Sequence, residues 1–186
     1  MKAYNLCLFI IISFLLISCN GQQYSNYKYS KKETEQFLDD IVKNAKISIG
    51  DITEIKKEQT DELYLFTRYP ISETEIEEFD KNNGTITNKD DDISDFTTYS
   101  FKDYELITEN NEKLQFVDNG RAVYLQEYAI WEYNNVLYRN LGFEIKLNKK
   151  YEKLKGHITI EFEMPRNVKR EIKIAVNTTI YDKLPE

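Results

Sequence analysis

The chain has one histidine, His157, and two cysteines, Cys7 and Cys19. With a single imidazole and no HExxH spacing, a metal site would have to be built mainly from carboxylates. Serine hydrolase chemistry would also have to use His157, yet no serine stands in a GxSxG context. Six glycines, none paired at GxGxxG spacing, exclude the usual phosphate-cradling loops. His157 opens an amphipathic strand on its polar face and reads as an exposed structural residue. The acids leave one hydrolytic option, because glycoside cleavage needs only two carboxyl groups at the right separation. Glu161 and Glu163 share one side of a strand about 7 Å apart, two strand rises, with Glu127, Glu132 and Glu144 on neighbouring strands. Such a face more often simply meets water. The stretch with Asp90-Asp91-Asp92 and Asp95 lacks the glycine that an EF-hand loop needs at its sixth position, so a mobile acidic loop is the better reading. No metal and no cofactor is implied.

Aromatic residues give a stronger hint than the titratable ones. Tyr124, Tyr128, Trp131, Tyr133 and Tyr138 cluster around one predicted hairpin, and Trp131 is the only tryptophan. Exposed on a sheet, they would form a stacking platform for a glycan or a protein partner. Buried, they are ordinary cross-strand pairs, and burial is the expectation for most of them. The exposure of Trp131 decides between the two.

Charge is distributed unevenly. Residues 72 to 112 carry 13 acids against 3 bases, a net charge of −10, whereas residues 19 to 71 sum to −1 and residues 113 to 186 to +3. A nucleic-acid partner is disfavoured by this balance. The acidic segment is expected to be a solvated face, with occlusion of a basic protein, as an immunity or inhibitor protein would do, as the alternative use.

The N-terminus supplies an address. Lys2 precedes an apolar run from Leu6 to Ile17 broken only by Ser13; as a helix its 12 residues reach only about 18 Å, short of a hydrocarbon core of about 30 Å. That fits a secretory signal segment rather than a spanning helix. The run ends in Leu16-Ile17-Ser18-Cys19, which resembles the lipobox of bacterial lipoproteins. The resemblance implies cleavage before Cys19, lipid on its sulfur, and anchoring in the bacterial cell envelope outside the cytoplasm, periplasm-facing in the inner or outer membrane. Acylation by several chains would make that attachment stable, since one chain binds only marginally. Residues 1–18 are then a signal peptide and 19–30 a lipidated tether. Cys7 leaves with the signal and Cys19 carries lipid, so no thiol remains for disulfides or catalysis.

The elements that must position these residues follow from local signals. Ser30-Lys31-Lys32-Glu33 has capping-box spacing, and Phe37, Leu38, Ile41, Val42 and Ala45 fall on one face, predicting an amphipathic helix from about 31 to 46. A weak strand and a charged turn follow over 47 to 58, and Leu63 to Tyr69 is a strong strand ended by Pro70. Ser72-Glu73-Thr74-Glu75 is a second capping box, predicting a short helix over 73 to 81 that stops at Asn82-Asn83-Gly84. From about residue 96 the pattern is strand after strand, with turns at Asn110-Asn111, Asp118-Asn119-Gly120 and Asn134-Asn135. Lys149 to Lys155 reads as a basic connector ending at Gly156. Ile158, Ile160, Phe162 and Met164 alternate cleanly with polar residues, as do Ile172, Ile174, Val176, Thr178 and Ile180. The expected class is α+β, mainly antiparallel β in a sandwich-like or curved sheet, with an N-terminal amphipathic helix and a second short one, as a single domain over 31–186. The functional expectation is a membrane-anchored envelope lipoprotein acting as a non-enzymatic binding or structural module, with a carboxylate-dependent hydrolase and an immunity or inhibitor protein as alternatives. Its expected partners are the membrane, through lipid on Cys19, and an envelope protein or glycan.

Overall fold

The computed structural model describes residues 26–49, 58–86, 92–117 and 124–180. The signal segment, Cys19 and the Asp118-Asn119-Gly120 turn lie outside the described residues, as do Asp90 and Asp91. Two capping boxes set the helices. Ser30 accepts from Glu33 N while the Glu33 carboxylate accepts from Ser30 N, opening α1 (Lys31–Asn44). Ser72 and Glu75 make the same reciprocal pair at the start of α2 (Glu73–Lys81). Each box satisfies two of the amide donors that a helix N-terminus leaves without intrahelical partners. α1 ends two residues earlier than its apolar spacing predicts, because Ala45 turns extended to start β1 (Lys46–Ser48).

The strands form two antiparallel sheets. The first has the order β1-β2-β6-β5, with β2 at Thr60–Pro70, β5 at Gln126–Tyr133 and β6 at Val136–Tyr151. The second has the order β4-β3-β7-β8, with β3 at Thr98–Thr108, β4 at Lys113–Leu114, β7 at Lys153–Met164 and β8 at Val168–Thr179. The chain therefore lays down two strands in one sheet and the next two in the other. One apolar cluster, from Phe37 to Ile180, fills the space between their inner faces, where Tyr99 of β3 stacks on Phe143 of β6 with ring centroids 3.7 Å apart. α1 packs against β2 and β8, one strand from each sheet, burying Phe37, Leu38 and Ile41. Thr67 donates to the Ile41 carbonyl and Asn44 to that of Arg68, fastening the helix to the sheet. Antiparallel sheets with two helices make the protein α+β.

Three features differ from the sequence expectation, each for a tertiary reason. Residues 136–138 and 143–147 are parts of one 16-residue strand, β6, because β2 pairs along it from Tyr138 to Tyr151. The lysine-rich run 149–155 is no connector: β6 continues to Tyr151, β7 begins at Lys153, and the chain changes sheet across Glu152. Tyr151 there is wholly buried and donates to the Glu62 carbonyl at 2.7 Å, while the lysines point to solvent. Tyr27 and Tyr29, read as tether, pack edge-on against Phe96, with Arg166 above Tyr27 and hydrogen-bonded to the Tyr29 carbonyl.

Gly156 sits inside β7 at φ 140, and a Cβ there would lie 1.7 Å from the Glu105 carbonyl oxygen on β3. Both the backbone angle and the interstrand approach require glycine. Gly156→Ala is expected to destabilise the fold by about 2 kcal/mol through strain and ladder displacement, read from the urea unfolding midpoint.

Candidate functional site

The pleat of β2, β6 and β5 sorts one row of side chains toward the core and the next toward solvent. Paired residues share a face, so Phe66↔Gly142, Arg68↔Asn140, Pro70↔Tyr138, Trp131↔Tyr138 and Tyr133↔Val136 place an aromatic stripe on the outer face of the first sheet. Tyr64 begins it, its ring parallel to Phe66 and its hydroxyl bonded to Glu62. Tyr128 occupies a bulge between Glu127 and Ala129 and meets Phe66 edge-on at 5.3 Å. Gly142 makes room for that ring: a Cβ there would lie 3.0 Å from Tyr128 Cε2 and 2.1 Å from the Leu65 carbonyl oxygen. At the far end the Arg68 guanidinium lies 4.2 Å from the Tyr133 ring centroid and 4.9 Å from that of Tyr138. The Asn134-Asn135 turn, with both residues at positive φ as a type I′ hairpin needs, carries Trp131 and Tyr133 at its tip.

Four of the five sequence-selected aromatics thus lie together: Tyr128, Trp131, Tyr133 and Tyr138. Tyr124 does not join them; it bridges to Thr98, a residue of the second sheet. The expectation that most of the five are buried does not hold. Trp131 is 51% exposed, Tyr133 43% and Tyr124 41%, while Tyr128 and Tyr138 are half-buried. The reason is positional, because the hairpin presents its aromatic row on the face turned away from the core.

A second cluster lies on the inner face at the same end. Arg139 of β6 follows Leu147, Ile145, Phe143 and Leu141 in the inward row, yet it is a cation, 8% exposed. Its Nη1 donates to Glu127 of β5 and its Nη2 to Glu75 of α2 at 2.6 Å; Asp92 Oδ2 stands 3.8 Å from Nε, which has no hydrogen-bond acceptor among the described residues. Asp92 also accepts from Tyr69 and Ser94 and caps the short 3₁₀ turn Ile93–Phe96. Burial opposes the charge of Arg139, but Tyr69 and the three carboxylates more than offset it and hold its pKa above the ordinary value. Burial, followed by the nearby Asp92 charge, raises the Tyr69 phenol and takes that of Tyr29 to about 12. These groups line a cleft of about 930 Å³ bounded by Tyr29, α1 and the start of α2. Sequence reasoning missed Arg139. The available signal was a lone cation in register with an apolar row.

α2 carries five acids and one lysine, and none of its residues is buried. It leaves the first sheet directly after Pro70, beside Tyr138, with the Ile71 amide donating to Leu137. The acidic helix and the aromatic hairpin therefore occupy one end of the molecule.

The other candidates lie elsewhere. His157 is half-buried rather than exposed, on the outer face of the second sheet, with Nε2 2.9 Å from Asp103. The imidazole holds the Asp103 carboxyl below its usual range. Glu161 is bonded to Lys102 at 2.9 Å and to Lys169 at 3.2 Å, and Glu163 to Lys169 at 2.9 Å, so this carboxylate pair is enclosed in a lysine ladder. Lys102 first, then Lys169, hold the Glu161 carboxyl below the usual range, the opposite of what a general acid requires. Because its folded-state pKa lies below the unfolded value, this stabilisation is full above about pH 4.3 and is lost as pH falls through the folded value. Glu161→Gln is expected to lower the neutral plateau of a stability–pH curve slightly and to flatten its acid limb; an unchanged acid limb would contradict this. Among the described residues no group of three histidine, cysteine or carboxylate side chains is arranged to hold a metal, and no helix is long and apolar enough to cross a membrane. No protein-family model, curated protein or solved structure matches this chain.

Proposed function

We propose that the protein is an envelope lipoprotein, anchored through lipid on Cys19, whose sandwich-like domain acts as a non-enzymatic module binding another envelope protein of basic surface. The observation that carries this reading is the exposure of Trp131 and Tyr133 on one outer sheet face, at the same end as the acidic helix α2. Trp and Tyr are the residue types that most often anchor protein interfaces, and acids around them steer a basic partner and exclude acidic ones. Stacking of Tyr133 and Tyr138 on Arg68 stiffens the platform before contact, which lowers the ordering cost of binding. Charge disfavours an acidic saccharide of the same envelope, which α2 would repel.

Growth of the native host with radiolabelled palmitate tests the anchor. Label on the wild-type chain and none on Cys19→Ala is the expected result; label on both or neither would contradict it. Cross-linking in intact cells tests the module. A basic envelope protein captured by the wild type and lost with Cys19→Ala supports the tethered reading, whereas capture of glycan alone contradicts the protein partner.

A further inference from the structure

Every open sheet ends in strands whose outer backbone groups have no neighbour, and proteins usually guard them. Among the described residues, three of the four sheet edges are guarded. β1 has three residues and β4 two, too short to template another strand, and the part of β3 that β4 leaves uncovered, residues 99–105, carries the charges of Lys102, Asp103 and Glu105. β8 is long, but α1 packs beside it and Asp39 of that helix holds Arg170 at 2.7 Å, while Lys169, Glu171 and Lys173 add charges along the strand. β5 is different. It is bonded to β6 on one side, no described strand lies on the other, and it contains neither lysine nor proline. The bulge at Tyr128 interrupts it, leaving Ala129–Tyr133 regular.

The faces of that stretch are chemically distinct. Ala129, Trp131 and Tyr133 belong to the outer aromatic face, whereas Ile130 and Glu132 turn inward, with Glu127 inward before the bulge. We propose that the outer edge of β5 receives an extended segment of the partner as a fifth strand of the first sheet, and that this segment alternates apolar residues with lysine or arginine. The inference rests on the binding-module reading and gives its mode. Main-chain hydrogen bonds supply the attachment, and alternate side chains supply the selectivity. Residues of the added strand on the outer face lie beside Trp131 and Tyr133, and those on the inner face meet Glu132 and Glu127. A second copy of the chain is the poorer occupant, since two β5 edges would bring the acids of one copy against those of the other in a chain already at −7.

The test uses the purified full chain and a synthetic probe, acetyl-(Lys-Val)₄-amide. Successive amides of a strand point to opposite edges, so only one alternate set, that of the lysines or that of the valines, faces β5. The expected result is saturable binding with slowed amide exchange at 129–133, a loss of affinity of roughly tenfold or more when one alternate set is N-methylated, and little change when the other set is. Acetyl-(Glu-Val)₄-amide is expected to bind at least about tenfold more weakly, and Glu132→Lys to narrow that difference. No binding, equal binding of both methylated probes, or protection confined to another strand would overturn strand addition. If capture in cells still depends on Trp131 while methylation has no effect, the edge is wrong and the binding module stands; if capture fails as well, the module itself falls.

Discussion

Arg139→Met is expected to destabilise the fold by about 3 kcal/mol, seen as an earlier urea midpoint with an unchanged slope. The substitution keeps the aliphatic stem but leaves Glu75, Glu127 and Asp92 facing one another without a cation. Removing one member of a buried charge cluster costs about 3–5 kcal/mol because the remaining charges lose their compensation, and solvent reaching Glu127, 46% exposed, places this case at the lower end. The three carboxylates come from α2, β5 and the turn before β3, so the loss should be uneven. α2, which buries no residue of its own, is expected to lose amide-exchange protection first. Arg139→Lys should recover only part of the loss, since one compact ammonium replaces the two separately placed nitrogens, Nη2 on Glu75 and Nη1 on Glu127, from which the guanidinium reaches its acids. An unfolding free energy within about 1 kcal/mol of wild type for Arg139→Met would show that the acids do not need the arginine.

Trp131→Ala is expected to behave in the opposite way. Half its surface already meets water, so stability should stay within about 0.5 kcal/mol of wild type. Partner binding should weaken by roughly 30-fold, the effect of losing an aromatic anchor worth about 2 kcal/mol. Tyr133→Ala should act in the same direction and also release Arg68 from one of its two rings. Tyr124→Ala, away from the stripe, serves as the control and should leave binding unchanged. Substantial destabilisation by Trp131→Ala would mean that the ring supports the hairpin rather than a contact.

Local signals made much of the scaffold readable. Both helix starts follow from side-chain–backbone pairs three residues apart, Ser30 with Glu33 and Ser72 with Glu75. The inward row of β7 alternates with period two, and the Asn134-Asn135 turn marks its hairpin by residue type alone. What could not be read depends on partners far along the chain. Continuity of β6 through Asn140 and Gly142 is imposed by pairing with β2, more than 70 residues earlier by number, since Gly142 lies opposite Phe66. Tyr128 reaches the aromatic face through a bulge and the space at Gly142, neither of which has a local signature. Arg139 gathers acids 64, 47 and 12 positions away, and Asp92 was hidden within an acidic run that looked uniformly solvated. The aromatic cluster itself was visible as a set of residues. Its exposure was not, because alternation alone does not say which face of a sheet the core will cover.

Quantitative cross-linking in intact cells, comparing wild type with Trp131→Ala at matched membrane levels, addresses the binding surface most directly. The expected result is one basic envelope protein captured by the wild type, with a cross-link near residues 131–138, and at least a tenfold lower yield for the variant. Equal yields from the two proteins, or cross-links mapping to the charged outer face of the second sheet around Lys102 and Lys169, would contradict it.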